Sequence, residues 1–110
     1  MTASTPQPIP EIIRYRIPPS EAASFESAYR RAGAVLQASP DCQGYELIRS
    51  DKDSQNYILT IFWDSSEGHL EGFRKSDLFP KFLELIRPYI PMIQEMEHYH
   101  ATGMSWRREV

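Results

Sequence analysis

The chain has 110 residues, a net charge of −3 and a hydrophobic content of 41%, which together predict one compact globular domain. Acidic and basic residues are mixed along the sequence, without the basic stripe that a nucleic-acid surface needs, and no apolar run approaches the ~20 residues that cross a bilayer. Because Cys42 is the only cysteine, an intrachain disulfide and a cysteine-rich metal site are excluded, and the absence of a secretory signal pattern predicts a cytoplasmic protein.

Proline-rich composition marks the N-terminal end. Three prolines fall within residues 1–10, which predicts a flexible arm, because such a segment buries little apolar surface. The folded domain is therefore expected to span residues 11–103, followed by a C-terminal tail at 104–110.

Three strands and one helix are predicted in the first half of the domain. The first strand alternates, with Ile13, Tyr15 and Ile17 on one face, and the third strand is β-branched and aromatic on both faces. Apolar residues at helical spacing follow the first strand, and Gly44 in the second strand indicates a bulge or a close backbone approach. These elements are expected at residues 11–17 (strand), 20–38 (helix), 42–50 (strand) and 57–63 (strand).

The second half is predicted to hold two helices and a closing strand. Asp64, Ser65 and Ser66 are candidate N-caps for a short helix, and Ser76 or Asp77 can cap the next one. The second of these helices has Pro80 in its first turn and ends at Pro88. The expected elements are residues 64–75 (helix), 77–87 (helix) and 94–103 (strand, ended by Gly103).

This order of elements, β-α-β-β-α(α)-β, is typical of the ferredoxin-like α+β fold, the split βαβ arrangement with a four-stranded antiparallel sheet. Helices cover one face of such a sheet. Because the strand at 57–63 is apolar on both faces, the second face also needs cover. The sequence therefore predicts a homodimer that packs sheet to sheet.

The string YILTIFWDSSEGHLEGFRKSDLFPKFLELIRPYI, residues 57–90, resembles the antibiotic biosynthesis monooxygenase (ABM) family of dimeric α/β barrels. The matching features are a strand that ends in an aromatic residue and an acid, a Ser/Glu-rich helix start, a histidine, the FRKS junction and a second helix that opens with Phe. SPDCQGYELIRS and MEHYHATG, on either side of this string, also match the family. The resemblance covers about residues 11–103.

The resemblance implies a homodimer with a pocket between the sheet and the helices of each subunit. It also implies oxidation of quinol-type substrates without a cofactor, because such family members rely on the substrate's own activation of oxygen. Other members degrade haem, with a histidine ligand on the helix after the KSD-Phe junction. This chain reads LFPKFLELIRP there, without a histidine, which counts against haem binding.

Candidate site residues follow from the chemistry of a phenol that must lose a proton in a dry pocket. His69 is the best candidate base, since histidine titrates near neutral pH, although a surface histidine is an alternative. Arg74 could stabilise an oxyanion, although it could equally be solvated. Candidate substrate contacts are Trp63, Phe73, Phe79, Tyr45, Tyr15 and His98. Core packing is the alternative role for Trp63, and closure of the dimer is the alternative for the two tyrosines.

A metal site is weighed and not predicted. His98 and His100 are two residues apart on the expected last strand and would share a face, and Glu46 could add a carboxylate. No third ligand stands at a recognisable spacing.

Three functions are compatible with these residues. The first is a cofactor-independent monooxygenase acting on a small hydrophobic, aromatic or quinol-like molecule. The second is a dimeric protein that binds such a molecule without turning it over, with a role in stress. The third is an isomerase or lyase that acts on a small carbonyl compound.

Overall fold

The computed structural model describes residues 7–109 and confirms the predicted ferredoxin-like α+β fold. The strands are β1 (Ile9–Arg16), β2 (Cys42–Arg49), β3 (Asn56–Trp63) and β4 (Ile93–His98), and the α-helices are α1 (Ala22–Ala38) and α2 (Leu78–Ile86). A π-helix, Gly68–Phe73, lies between β3 and α2, and short 3₁₀ segments, Pro19–Glu21 and Arg87–Met92, precede α1 and β4. The antiparallel sheet has the order β2-β3-β1-β4.

One face of the sheet packs against α1 and α2 and forms the core. Ile13 and Tyr15 of β1 lie opposite Leu59 and Tyr57 of β3, and all four side chains are buried. Phe25 of α1 inserts among these rings, with its ring centroid 4.8 Å from those of Tyr15 and Tyr57. Such edge-to-face pairs contribute about 0.5–1.5 kcal/mol beyond the burial of area, so the aromatic content of the chain is largely a structural feature.

The helices leave the other face of the sheet open. Ile48 of β2 pairs with Ile58 of β3 on this face, and Ile48 is 51% exposed. Arg14 of β1 forms an ion pair with Glu95 of β4 at 2.6 Å on the same face. The open face therefore presents apolar side chains on β2 and β3 and the Arg14–Glu95 ion pair on β1 and β4.

The bulge predicted at Gly44 is present, since the pairing of β2 with β3 shifts register between Cys42 and Gly44.

The predicted length of the closing strand is wrong, because β4 ends at His98 and Gly103 does not terminate it. As an edge strand, β4 pairs only with β1, and the last backbone bond runs from the Tyr99 N–H to the Pro10 carbonyl. Ile9, the residue of β1 before Pro10, pairs with β3 and has no register partner in β4.

The start of the domain also differs from the prediction. Ile9 and Pro10, predicted as part of the arm, pair with Trp63 and Phe62 at the end of β3. The rest of the predicted arm at 1–6 lies outside the described residues. Within residues 7–109, no helix is both long and apolar enough to cross a membrane.

Candidate functional site

The predicted helix after β3 is a π-helix, and this geometry positions His69. Ser65, one of the three candidate caps, accepts a hydrogen bond from the Gly68 N–H at 2.8 Å. The Arg74 N–H then donates to the His69 carbonyl at 3.0 Å, an i to i+5 bond that defines the wider turn. A Cβ at Gly72 would lie 2.3 Å from a carboxylate oxygen of Asp41, so a side chain there would displace the end of that aspartate. The missing side chain of Gly72 therefore admits a neighbouring loop.

His69 lies inside the protein, with only 4% of its surface exposed. Its imidazole stacks on the indole of Trp63, with centroids 4.4 Å apart and planes 7° from parallel. Its Nδ1 is 2.8 Å from Nε2 of His98 on β4, so one of the two nitrogens donates a hydrogen bond to the other. Its Nε2 is 3.7 Å from a carboxylate oxygen of Glu11. The surface-histidine alternative is therefore wrong.

Glu11 is a site residue that the sequence reasoning missed. It lies on the helix-facing side of β1 opposite His98, its side chain is 5% exposed, and the Trp63 Nε1–H donates to its carboxylate at 3.0 Å. Its position supplied a signal: it shares the buried face with Ile13 and Tyr15, and a carboxylate on an apolar strand face needs a partner.

Burial shifts the protonation equilibria of this group. Burial, together with the nearby positive charges of His98 and Arg74, lowers the pKa of His69 to about 4. Burial raises the pKa of Glu11, an effect opposed by the Trp63 hydrogen bond and by the positive charges of His98 and Arg74. His69 is therefore a neutral imidazole at pH 7, with one ring nitrogen free of a proton.

A cavity of about 120 Å³ lies beside His69, between the sheet and α2. Its walls are mostly aliphatic and aromatic, while Arg74 and the buried His69 and Glu11 bring polar groups to it. An apolar cavity of roughly 150 Å³ accommodates benzene, so this space suits a molecule about the size of one ring. The aromatic wall residues are Trp63, Phe73, Phe79 and Phe82.

The cavity brings together six of the candidate site residues: Tyr15, Trp63, His69, Phe73, Arg74 and Phe79. The guanidinium of Arg74 lies 5.8 Å from the centre of the Phe79 ring. His98 joins the group through its contact with His69, and not as a wall residue.

The structure does not offer the hydroxyl group of either candidate tyrosine to a ligand in this cavity. Tyr45 of β2 packs against Gly33 of α1, lines a separate depression, and its hydroxyl accepts a hydrogen bond from Gln37 at 3.4 Å. Tyr15 does line the cavity, but its hydroxyl is bonded to that of Tyr29 at 2.5 Å. Burial raises the pKa of Tyr15 to about 12, so this phenol stays protonated.

The metal-ligand set weighed from the sequence is not assembled. His100 lies beyond the end of β4, so the expectation that it shares a strand face with His98 is wrong. Glu46 pairs with Thr60 on the open face of the sheet, whereas His98 pairs with Glu11 on the helix-facing side. These residues are therefore on opposite sides of the sheet.

Comparisons with known proteins agree with this architecture. The family model for antibiotic biosynthesis monooxygenase matches residues 8–85. The uncharacterized protein YczJ of Bacillus subtilis (strain 168) is 25% identical over 75 residues, which are 68% of this chain and 79% of that protein. A Bordetella bronchiseptica structure ascribed to the same family has a TM-score of 0.72 at 25% identity, and the alignment covers 87% of this chain and 98% of its own.

SnoaB, a cofactor-independent oxygenase from Streptomyces nogalater, has a TM-score of 0.74 at 17% identity, with 89% of this chain and 96% of its own covered. At that identity the likeness concerns the fold alone. The family model, in contrast, spans β1 to α2 and so includes His69, Glu11 and the wall of the cavity. This protein therefore belongs to the antibiotic biosynthesis monooxygenase family.

Proposed function

We propose that the protein is a cofactor-independent monooxygenase that oxidises a small aromatic or quinol-type molecule in the cavity beside His69. The observation that carries this proposal is the neutral, buried imidazole at the edge of a ring-lined space, with Arg74 at the same cavity. Membership of the family supports the reaction type. The size of the cavity favours substrates with one ring over those with three.

The first chemical step is removal of a proton from the substrate. With a hydrogen on Nδ1 donated to His98, His69 has a free lone pair on Nε2, the nitrogen that faces Glu11. A carboxylate 3.7 Å from Nε2 stabilises the imidazolium that forms when the proton arrives. His98 is half-buried, so it offers the proton a route from the enclosed imidazole to solvent.

The second step is the reaction of the substrate anion with oxygen. The guanidinium of Arg74 stabilises the anion electrostatically, and the rings around it exclude water. The anion gives one electron to O₂, and the two radicals join in a bond between oxygen and a substrate carbon that carries hydrogen. The peroxide anion takes back a proton from the imidazolium of His69, and loss of water from this hydroperoxide, with the hydrogen of that carbon, leaves a carbonyl. One oxygen atom enters the product and the other leaves as water.

Oxygen uptake tests this function directly. Dihydroxybenzenes, dihydroxynaphthalenes and the three-ring anthrone are supplied to the wild type, to His69→Asn and to the matched control His100→Asn, whose histidine lies outside the site. We expect uptake with the smaller compounds, reduced by about 10²–10⁴-fold in His69→Asn and unchanged in His100→Asn. The proposal is contradicted if, for every compound, oxygen uptake with the protein is no faster than the autoxidation of that compound in buffer alone. Tight binding without uptake indicates a binding protein instead.

We also propose that two copies pack through the open face of the sheet. The support is the apolar part of that face on β2 and β3, with Ile48 half exposed beside Ile58. The cavity lies on the other side of the sheet, against α2. Dimerisation through the open face would leave access to the cavity unchanged.

A further inference from the structure

We infer that Glu11, His69 and His98 form a binding site for a divalent first-row transition metal ion. One ligand atom from each of the three side chains lies within 4.8 Å of those from the other two. A carboxylate and two imidazoles are a donor set that Zn²⁺, Co²⁺, Ni²⁺ and Fe²⁺ accept in proteins. This site goes beyond the proposed function, which needs no metal.

The fold holds the three groups from three directions. Glu11 and His98 are directly paired residues on β1 and β4, so the sheet fixes the spacing of two ligands. His69 reaches the same point from the π-helix. Two nitrogen or oxygen ligands of one Zn²⁺ ion are roughly 3–3.5 Å apart, since each bond is about 2.1 Å long. The ligand atoms of the three side chains lie within 4.8 Å of one another, which is wider than this range. Because an ion takes only one nitrogen of His69, its binding would replace the hydrogen bond between His69 and His98 and would draw the three groups together by roughly 1–2 Å.

The residues around the cluster also support a metal site. Ligands are usually oriented by hydrogen bonds from a surrounding shell, and here the Trp63 Nε1–H holds the Glu11 carboxylate while its ring stacks on His69. Two ligands are buried and the third, His98, is half-buried, which gives an ion a path from solvent. Three protein ligands leave at least one coordination position free, and Glu11 and His69 both line the cavity.

Binding of the ion would have a consequence for the proposed base. An ion on His69 and a substrate proton require the same free imidazole, so the two would compete. Metal binding is measurable without any substrate, which keeps this inference separate from the test of the monooxygenase.

Cobalt titration tests the site. The full chain is treated with chelator, and Co²⁺ alone is added while its visible absorption is recorded, with Zn²⁺ then added to displace it. We expect one Co²⁺ per chain, with affinity at least about 10-fold weaker in His98→Ala and in Glu11→Gln, and unchanged in the control His100→Ala.

Three results would overturn the inference: no Co²⁺ absorption in the wild type, binding retained in both His98→Ala and Glu11→Gln, or binding lost in His100→Ala. Circular dichroism of each variant checks that it is folded. His98 is half-buried at the end of an edge strand, so His98→Ala keeps the test valid even if Glu11→Gln does not fold.

Discussion

At the scale of single residues, Trp63 connects the fold to the site. Its indole N–H donates to the buried carboxylate of Glu11, and its ring face covers His69. A buried carboxylate without a donor is costly, so Trp63 both stabilises the fold and fixes the position of the proposed base. The two roles weighed for Trp63 from the sequence, core packing and a pocket wall, are therefore compatible.

Trp63→Phe isolates the indole donor. We expect the free energy of unfolding to fall by about 1–3 kcal/mol, because the ring is largely retained while the buried Glu11 carboxylate loses its donor. Urea unfolding at pH 7 measures this change. Trp106→Phe is the control, since Trp106 is 72% exposed and should change stability by less than about 0.5 kcal/mol. Equal effects of the two substitutions would contradict the role given to Trp63.

The lowered pKa of His69 predicts a dependence of stability on pH. The pKa is about 4 in the folded protein, against the ordinary 6.5, so the unfolded chain binds more protons between these values. Stability contributed by neutral His69 is complete above pH 6.5 and is lost as the pH falls toward 4. The raised pKa of Glu11 acts in the opposite sense, since its contribution is lost as the pH rises.

The variant His69→Gln isolates the contribution of His69 to the pH dependence of stability from that of the groups that face it, which are Glu11, His98 and Arg74. Between pH 7 and pH 4.5 we expect the wild type to lose roughly 2 kcal/mol more stability than this variant, from about 1.4 kcal/mol per unit of pKa shift. Urea unfolding at several pH values measures the difference. Parallel pH profiles would contradict it, and His100→Gln should follow the wild type.

At the scale of elements, local pattern predicted most of the fold. Alternation located β1, the β-branched run located β3, and the polar turn between β2 and β3 indicated their antiparallel pairing. The π-helix was not predicted, because one wider turn scarcely changes the periodicity of apolar residues over so short a segment. The end of β4 depended on how far β1 extends as its partner, which the sequence of β4 does not contain.

The candidate site was predictable in part for the same reason. His69 and Phe73 are four residues apart, so helical spacing predicted that they share a face. The contact of Glu11 with His98 depends on the register between β1 and β4, which are far apart in the chain. Pairing of such distant strands leaves no local signal in the sequence.

The cap of the π-helix gives a prediction at this scale. Ser65→Ala removes the acceptor of the Gly68 N–H, and we expect a loss of about 1 kcal/mol in the free energy of unfolding. Ser66→Ala is the matched control, because the hydrogen bonds found in the described part of the chain do not involve the Ser66 hydroxyl. Thermal unfolding compares the two, and a loss as large in Ser66→Ala would contradict the assignment of Ser65 as the cap.

At the scale of the whole molecule, the sheet has two faces with different roles. One carries the core and the cavity, and the other presents Ile48 and Ile58 beside the Arg14–Glu95 ion pair. An apolar patch next to charged groups is compatible with a protein interface. This division allows a dimer to form while each subunit keeps its own cavity.

Ile48→Lys tests the proposed dimer, because a lysine in the apolar part of the interface would be buried without a partner. Static light scattering at micromolar concentration should give a dimer for the wild type and a monomer for this variant. Leu70→Lys is the control: Leu70 is 42% exposed but belongs to the π-helix, away from the open face, and it should leave the dimer intact. A monomeric wild type would contradict the proposal.

The cavity beside His69 is the proposed place where a substrate is oxygenated. The most direct measurement supplies ¹⁸O₂ to the wild type with a compound that supports uptake, and determines the product mass by rapid quench, before carbonyl oxygen exchanges with water. We predict that the wild type and His100→Asn form product with one ¹⁸O atom in each molecule. His69→Asn should form almost none of this labelled product. Unlabelled product, or label that persists undiminished in His69→Asn, would contradict the account.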